Sequence, residues 1–140
     1  MLIAALFAGL AGLLAMLSLL PSSDLYFHAT YFVFTSKHLE LFVALTCGNF
    51  AAIYFALSKW VPTHFNQPAG MLHFILIASA IVLGIVGVHG YSAPTVDAAT
   101  GLSHLSYLSH LAAAVLCFLA GCALFVMNCL WVLFGMICST

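Results

Sequence analysis

The stretch FHATYFVFTSKHLELF, residues 27–42, decides how the chain is read. Taken as the opening of an apolar helix, it puts Lys37, His38 and Glu40 into a mainly apolar wall. Working outward, the rest of the sequence is apolar almost everywhere. Of 140 residues 66% are hydrophobic, the only basic side chains besides histidine are Lys37 and Lys59, and the acids number three. A water-soluble domain needs far more polar surface than this, so the composition predicts an all-α membrane protein.

A bilayer core takes roughly 20 apolar residues per helical crossing, so 140 residues suffice for about four crossings and little else. Apolar runs fall at about 2–20, 31–57, 71–88 and 105–137, within a single domain. They predict four transmembrane helices. The breaks between them, PSSD (21–24), KWVPTHFNQPAG (59–70) and HGYSAPTVDAATG (89–101), are turn-forming and short, which makes neighbouring helices antiparallel. Residues 31–57 would span about 40 Å as a helix and would have to tilt or protrude. The N-terminal run has no positive n-region and is longer than a signal-peptide core, so it is expected to be the first membrane helix. Lys59 in the second break points that loop, and both termini, to the matrix or cytoplasmic side.

The net charge of −1, with no basic cluster, excludes nucleic acid as a partner; membrane lipid and other transmembrane helices are the expected ones. Small residues recur in the first run (Ala8, Gly9, Ala11, Gly12, Ala15) and the fourth (Ala112, Ala113, Ala120, Gly121), and spacings such as Ala8 to Gly12 let helix backbones approach closely. The five cysteines, at 47, 117, 122, 129 and 138, lie in apolar segments without a CxxC pattern and read as small buried hydrophobes.

A charge at mid-bilayer costs about 2.5 to 3.5 kcal/mol on insertion scales, so each polar residue in these runs needs a reason. Lys37 and Glu40, three apart, share a helix face and are placed for an ion pair. His38 points about 100° away from Lys37. As a residue it is open to three readings: a haem axial ligand, a proton-relay group, or a buried imidazole held by a hydrogen bond. His73 and His89 bracket the third run and read as interfacial. His104 and Tyr107 share a face near the start of the fourth, with His110 on another side. No HExxH, zinc spacing, phosphate loop or nucleophile elbow occurs, so a self-contained active site is not expected.

Several of these residues fall in a familiar order. Gly9-Leu10-Ala11-Gly12 precedes His28-Ala29-Thr30-Tyr31-Phe32-Val33-Phe34-Thr35-Ser36-Lys37-His38; Trp60-Val61-Pro62 follows; His73-Phe74 and His89-Gly90 stand sixteen residues apart; Ser103, Ser106, Ser109 and Ala112 open the last run. The series resembles the last four helices of subunit 1 of the haem-copper oxidases, the catalytic chain of cytochrome c oxidase. The resemblance implies that His38 occupies the position of a low-spin haem axial ligand, with haem a as the cofactor, and that His28 is a remnant of a Mg-site ligand.

The departures are as informative. Ser36 stands where the family places the high-spin haem ligand, and a serine cannot replace that histidine. Ala29 replaces the acid beside the Mg-site histidine, and the arginines that grip haem propionates have no counterpart. The resemblance therefore implies an integral subunit of a cytochrome c oxidase (complex IV) assembly, derived from the C-terminal part of subunit 1, structural rather than catalytic. Its partner would be subunit 1 and its place the mitochondrial inner membrane, or a plasma membrane if bacterial. The alternatives are a split C-terminal piece of the catalytic subunit that supplies a low-spin haem ligand, and an unrelated membrane scaffold or assembly factor.

Overall fold

The computed structural model describes residues 1–19, 24–26, 33–61, 65–92 and 102–138. They fall into two compact units, Met1–Thr63 and His64–Thr140.

The first unit contains α1 (Leu2–Leu17), a hairpin of β1 (Asp24–Tyr26) and β2 (Val33–Thr35), and α2 (Ser36–Trp60). α1 has 16 residues, about 24 Å, and is shorter than the expected 2–20. Its last turn tightens, with Leu19 N donating to Met16 O, and the Ser18 hydroxyl donates to Ala15 O at 2.7 Å. α1 buries Ile3, Ala4, Phe7 and Leu14, and α2 buries Ala44, Cys47 and Tyr54. The Phe7 ring stacks on Tyr54 (centroids 5.7 Å, 9° between planes) and tilts against Phe50 (5.4 Å, 47°). An early residue of α1 thus meets late residues of α2, so the two helices run antiparallel. The small-residue face of α1 lies elsewhere: Gly9 and Gly12 are exposed, with open space where a Cβ would stand.

The second helix does not begin at residue 31. Residues 33–35 pair with 24–26 in the register Asp24↔Thr35, Leu25↔Phe34, Tyr26↔Val33. Tyr31-Phe32-Val33-Phe34-Thr35 is wholly aromatic and β-branched, a composition that suits an extended strand as well as a buried helix. The connection between α1 and α2 is therefore not a short loop. Within α2 the hydroxyls of Thr46 and Ser58 donate to the carbonyls of Phe42 and Phe55, both at 2.9 Å, which satisfies them inside an apolar segment. At its end Lys59 Nζ lies 5.8 Å from the Phe55 ring centroid and Trp60 is exposed, the Lys and Trp placement of a membrane interface.

The second unit is a helical hairpin of α3 (Gln67–Ser92) and α4 (Leu102–Cys138). A Cβ on Gly87 would lie 2.9 Å from Leu111 Cγ, one on Gly84 4.0 Å from Ala114 Cβ, and one on Gly121 2.9 Å from Ile77 Cδ1. The His73 ring packs on Phe125 at 5.3 Å. From 73 to 87 the partners on α4 fall from 125 to 111, residue for residue, so the helices are antiparallel in one constant register. Buried positions on α3 (70, 73, 77, 80, 87) and on α4 (114, 121, 128, 132) follow intervals of three, four and seven. That is the heptad spacing of a coiled-coil seam.

Three helical segments are long and apolar enough to cross a membrane, Lys37–Trp60, Gln67–Gly87 and Ser109–Ile137; α1 is apolar but shorter. The described residues are thus mainly helical, with four helices of which three have membrane-spanning length.

Candidate functional site

Because α2 starts at Ser36, the charged residues of the opening stretch occupy its first turns rather than its middle. Here a lysine or carboxylate reaches the headgroup region without crossing hydrocarbon. Among the described residues no ion pair joins Lys37 to Glu40, although their spacing allows one. His38 is exposed at this end of α2, so the reading of it as a buried imidazole does not hold. His28 lies outside the described residues.

A haem needs an axial ligand, usually a second one, and cationic groups for its propionates. Within the first unit the described residues offer His38 alone as an imidazole ligand, and the chain contains no arginine. Among the described residues no group of three or more His, Cys, Asp or Glu side chains gathers to hold a metal. Among the described residues the donor set does not fit a haem or hard-cation site.

The second unit carries the buried polar groups. His73, expected at the interface, is fully buried in the second turn of α3, against Phe125 and Gly121, with its Cδ2 3.5 Å from where a Gly121 Cβ would stand. Asn128 on α4 is 3% exposed. Its Nδ2 donates to the main-chain carbonyl of Asn66 at 3.3 Å. Asn66 in turn caps α3: its Oδ1 accepts from Ala69 N at 3.2 Å and its carbonyl accepts from Gly70 N at 3.1 Å. Asn128 Oδ1 is buried and takes no hydrogen bond from the described residues.

His89 lies in the last turns of α3, and His104 and Tyr107 in the first turns of α4, with side chains outside the described set; His110 is half-buried. Cys47 is buried and Cys117, Cys122 and Cys129 are half-buried thiols, in keeping with small apolar residues. Sequence reading passed over Asn66 and Asn128. The signal was available for the second: Asn128 is the only amide or charged side chain between residues 111 and 137.

No family model matches the chain. No solved structure matches it either. Over 116 residues, 79% of its length, the chain is 31% identical to cytochrome c oxidase subunit 1 of Synechocystis sp., and it spans 21% of that protein. The likeness is to a segment of an oxidase subunit, about one fifth of the relative's length, and three helices among the described residues have membrane-spanning length.

Proposed function

We propose that the chain is an integral-membrane subunit of a cytochrome c oxidase assembly, related to the last four helices of subunit 1, with a structural and non-catalytic role. The observation that carries this reading is the 31% identity along 79% of the chain; beside it, the resemblance implies that Ser36 takes the position of the high-spin haem ligand. A chain that keeps the helices of the relative while losing the ligand of its oxygen-reducing centre fits a packing role beside a complete subunit 1. The place of His38 in the first turn of α2 supports the same reading, because it is the one imidazole among the described residues of its unit. The compartment is that of the oxidase, the inner membrane of a mitochondrion or the plasma membrane of a bacterium.

The test is to solubilise the native membrane gently, isolate the complex that contains this chain, and identify the co-purifying proteins. A complete subunit 1 is the expected finding. In that complex His38→Ala is expected to leave low-spin haem absorbance and oxygen turnover unchanged. A loss of low-spin absorbance would instead make this chain a ligand-bearing split piece of the catalytic subunit. Recovery without any oxidase subunit would leave it a scaffold of another kind.

A further inference from the structure

The seam between α3 and α4 raises a question of register. Small and large residues alternate on both sides: Gly84 and Gly87 face Ala114 and Leu111, and Ile77 faces Gly121. Sliding α4 by one heptad would keep apolar residues opposite apolar ones, with Ala80 meeting Leu111 and Ile77 meeting Ala114. Sliding it the other way would set Ala80 against Phe125. Packing in lipid gains nothing from removing apolar surface from water, so what resists such a slide is local fit: the first slide sets an alanine Cβ against Leu111 and Ile77 in place of Gly87 and Gly121, where a Cβ comes within 2.9 Å of those side chains.

A polar feature of the seam does not survive a slide either. The buried Asn128 gives its amide hydrogen to the carbonyl of Asn66, the residue that also caps α3 through Ala69 N and Gly70 N. Moved by seven residues in one direction, Asn128 passes beyond the start of α3 and loses that acceptor. In the other it stands opposite Ile77, where its amide would be buried among apolar groups without a partner. A single buried asparagine fixes register in soluble coiled coils by this asymmetry between correct and shifted pairings.

We infer that Asn128, through its hydrogen bond to the Asn66 carbonyl, is a register lock of the α3–α4 hairpin, adding a polar selection of one alignment to the fit of side chains at Gly87 and Gly121. The inference concerns the hairpin alone and stands whether or not the chain belongs to an oxidase.

Disulfide trapping in the full-length chain, in membranes and with the native cysteines replaced by alanine, tests it. A Cβ on Gly84 lies 4.0 Å from Ala114 Cβ, within the 3.5 to 4.5 Å range a disulfide needs, so G84C/A114C reports the native register. A80C/L111C and A80C/F125C report a one-heptad slide in either direction. With Asn128 present, oxidation is expected to close G84C/A114C and leave both slid pairs largely open. With Asn128→Ala, one of the slid pairs is expected to gain about three- to tenfold in yield, the range set by one interhelical hydrogen bond in lipid. Slid-pair yields that stay the same in both backgrounds would overturn the inference. Should Asn128→Ala fail to accumulate, Asn128→Ser keeps a small polar group at the position and is read by the same criterion: slid product supports the lock, and native product alone removes it.

Discussion

The two units solve one problem in opposite ways. α1 and α2 meet through rings: Phe7 inserts between Phe50 and Tyr54, and the glycines of α1 take no part. α3 and α4 meet through absences: glycines at 84, 87 and 121 admit the side chains facing them. Polar residues divide in the same way. In the first unit Lys37, His38, Glu40 and Lys59 gather at the two ends of α2; in the second, His73 and Asn128 are buried along the seam. Small residues in a membrane helix are therefore not contacts by virtue of being small. They become contacts where a partner's side chain is large and in register.

The largest effect is expected where this contrast is sharpest. Gly121→Leu adds a branched side chain at a point where even a Cβ would stand 2.9 Å from Ile77 Cδ1 and 3.5 Å from His73 Cδ2, and Ile77 is itself 2% exposed. Neither neighbour has room to retreat. Overpacking of this kind costs about 3 kcal/mol, to be seen as a lower midpoint in detergent or urea unfolding of the purified chain. An unchanged midpoint would mean the seam is looser than its distances imply.

Phe7→Ala follows. It removes a ring that is fully buried and contacts two others. In lipid the transfer part of the usual cost is missing, so the cavity and the lost ring contacts leave about 2 kcal/mol. The loss should disappear when Tyr54 and Phe50 are already alanine, which a double-mutant cycle on unfolding midpoints measures. A full additive loss in that background would place the contribution of Phe7 elsewhere.

Much of this architecture could be read from composition, and its failures have physical causes. The long apolar runs located α2, α3 and α4 to within a few residues, because helices that cross hydrocarbon must be apolar on every side. That same uniformity erased the information about which side packs. The spacing of Ala8 and Gly12 suits close approach of a helix, within the bundle or on a larger neighbour; both are exposed, while the glycines that pack on α3 do not stand at that spacing from each other. The run 31–35 was misread because Tyr, Phe, Val and Thr serve a strand as readily as a helix, and the correction carried Lys37 and Glu40 from mid-membrane to a helix end. Of the candidate ligands, His38 lies in the first turns of α2 and His28 outside the described residues, while His73, which reads as interfacial, is fully buried. Asn128 was legible as an isolated amide, but its acceptor, a main-chain carbonyl 62 residues earlier, leaves no trace in side-chain identity.

The smallest expected effect closes the comparison, because it asks whether a small residue matters when nothing faces it. Gly12→Leu places on α1 the kind of side chain that is destructive at Gly121, at a position with no atom within 4 Å of the new Cβ. The substitution also replaces the residue that, proline aside, most weakens a helix interior, a gain of up to about 1 kcal/mol in water and smaller in lipid, where backbone hydrogen bonds are already enforced. The two terms leave an unfolding midpoint within about 0.5 kcal/mol of the parent. A loss approaching that of Gly121→Leu would show that the glycine face of α1 is packed in the folded chain, and the distinction between ring-packed and glycine-packed units would then fail.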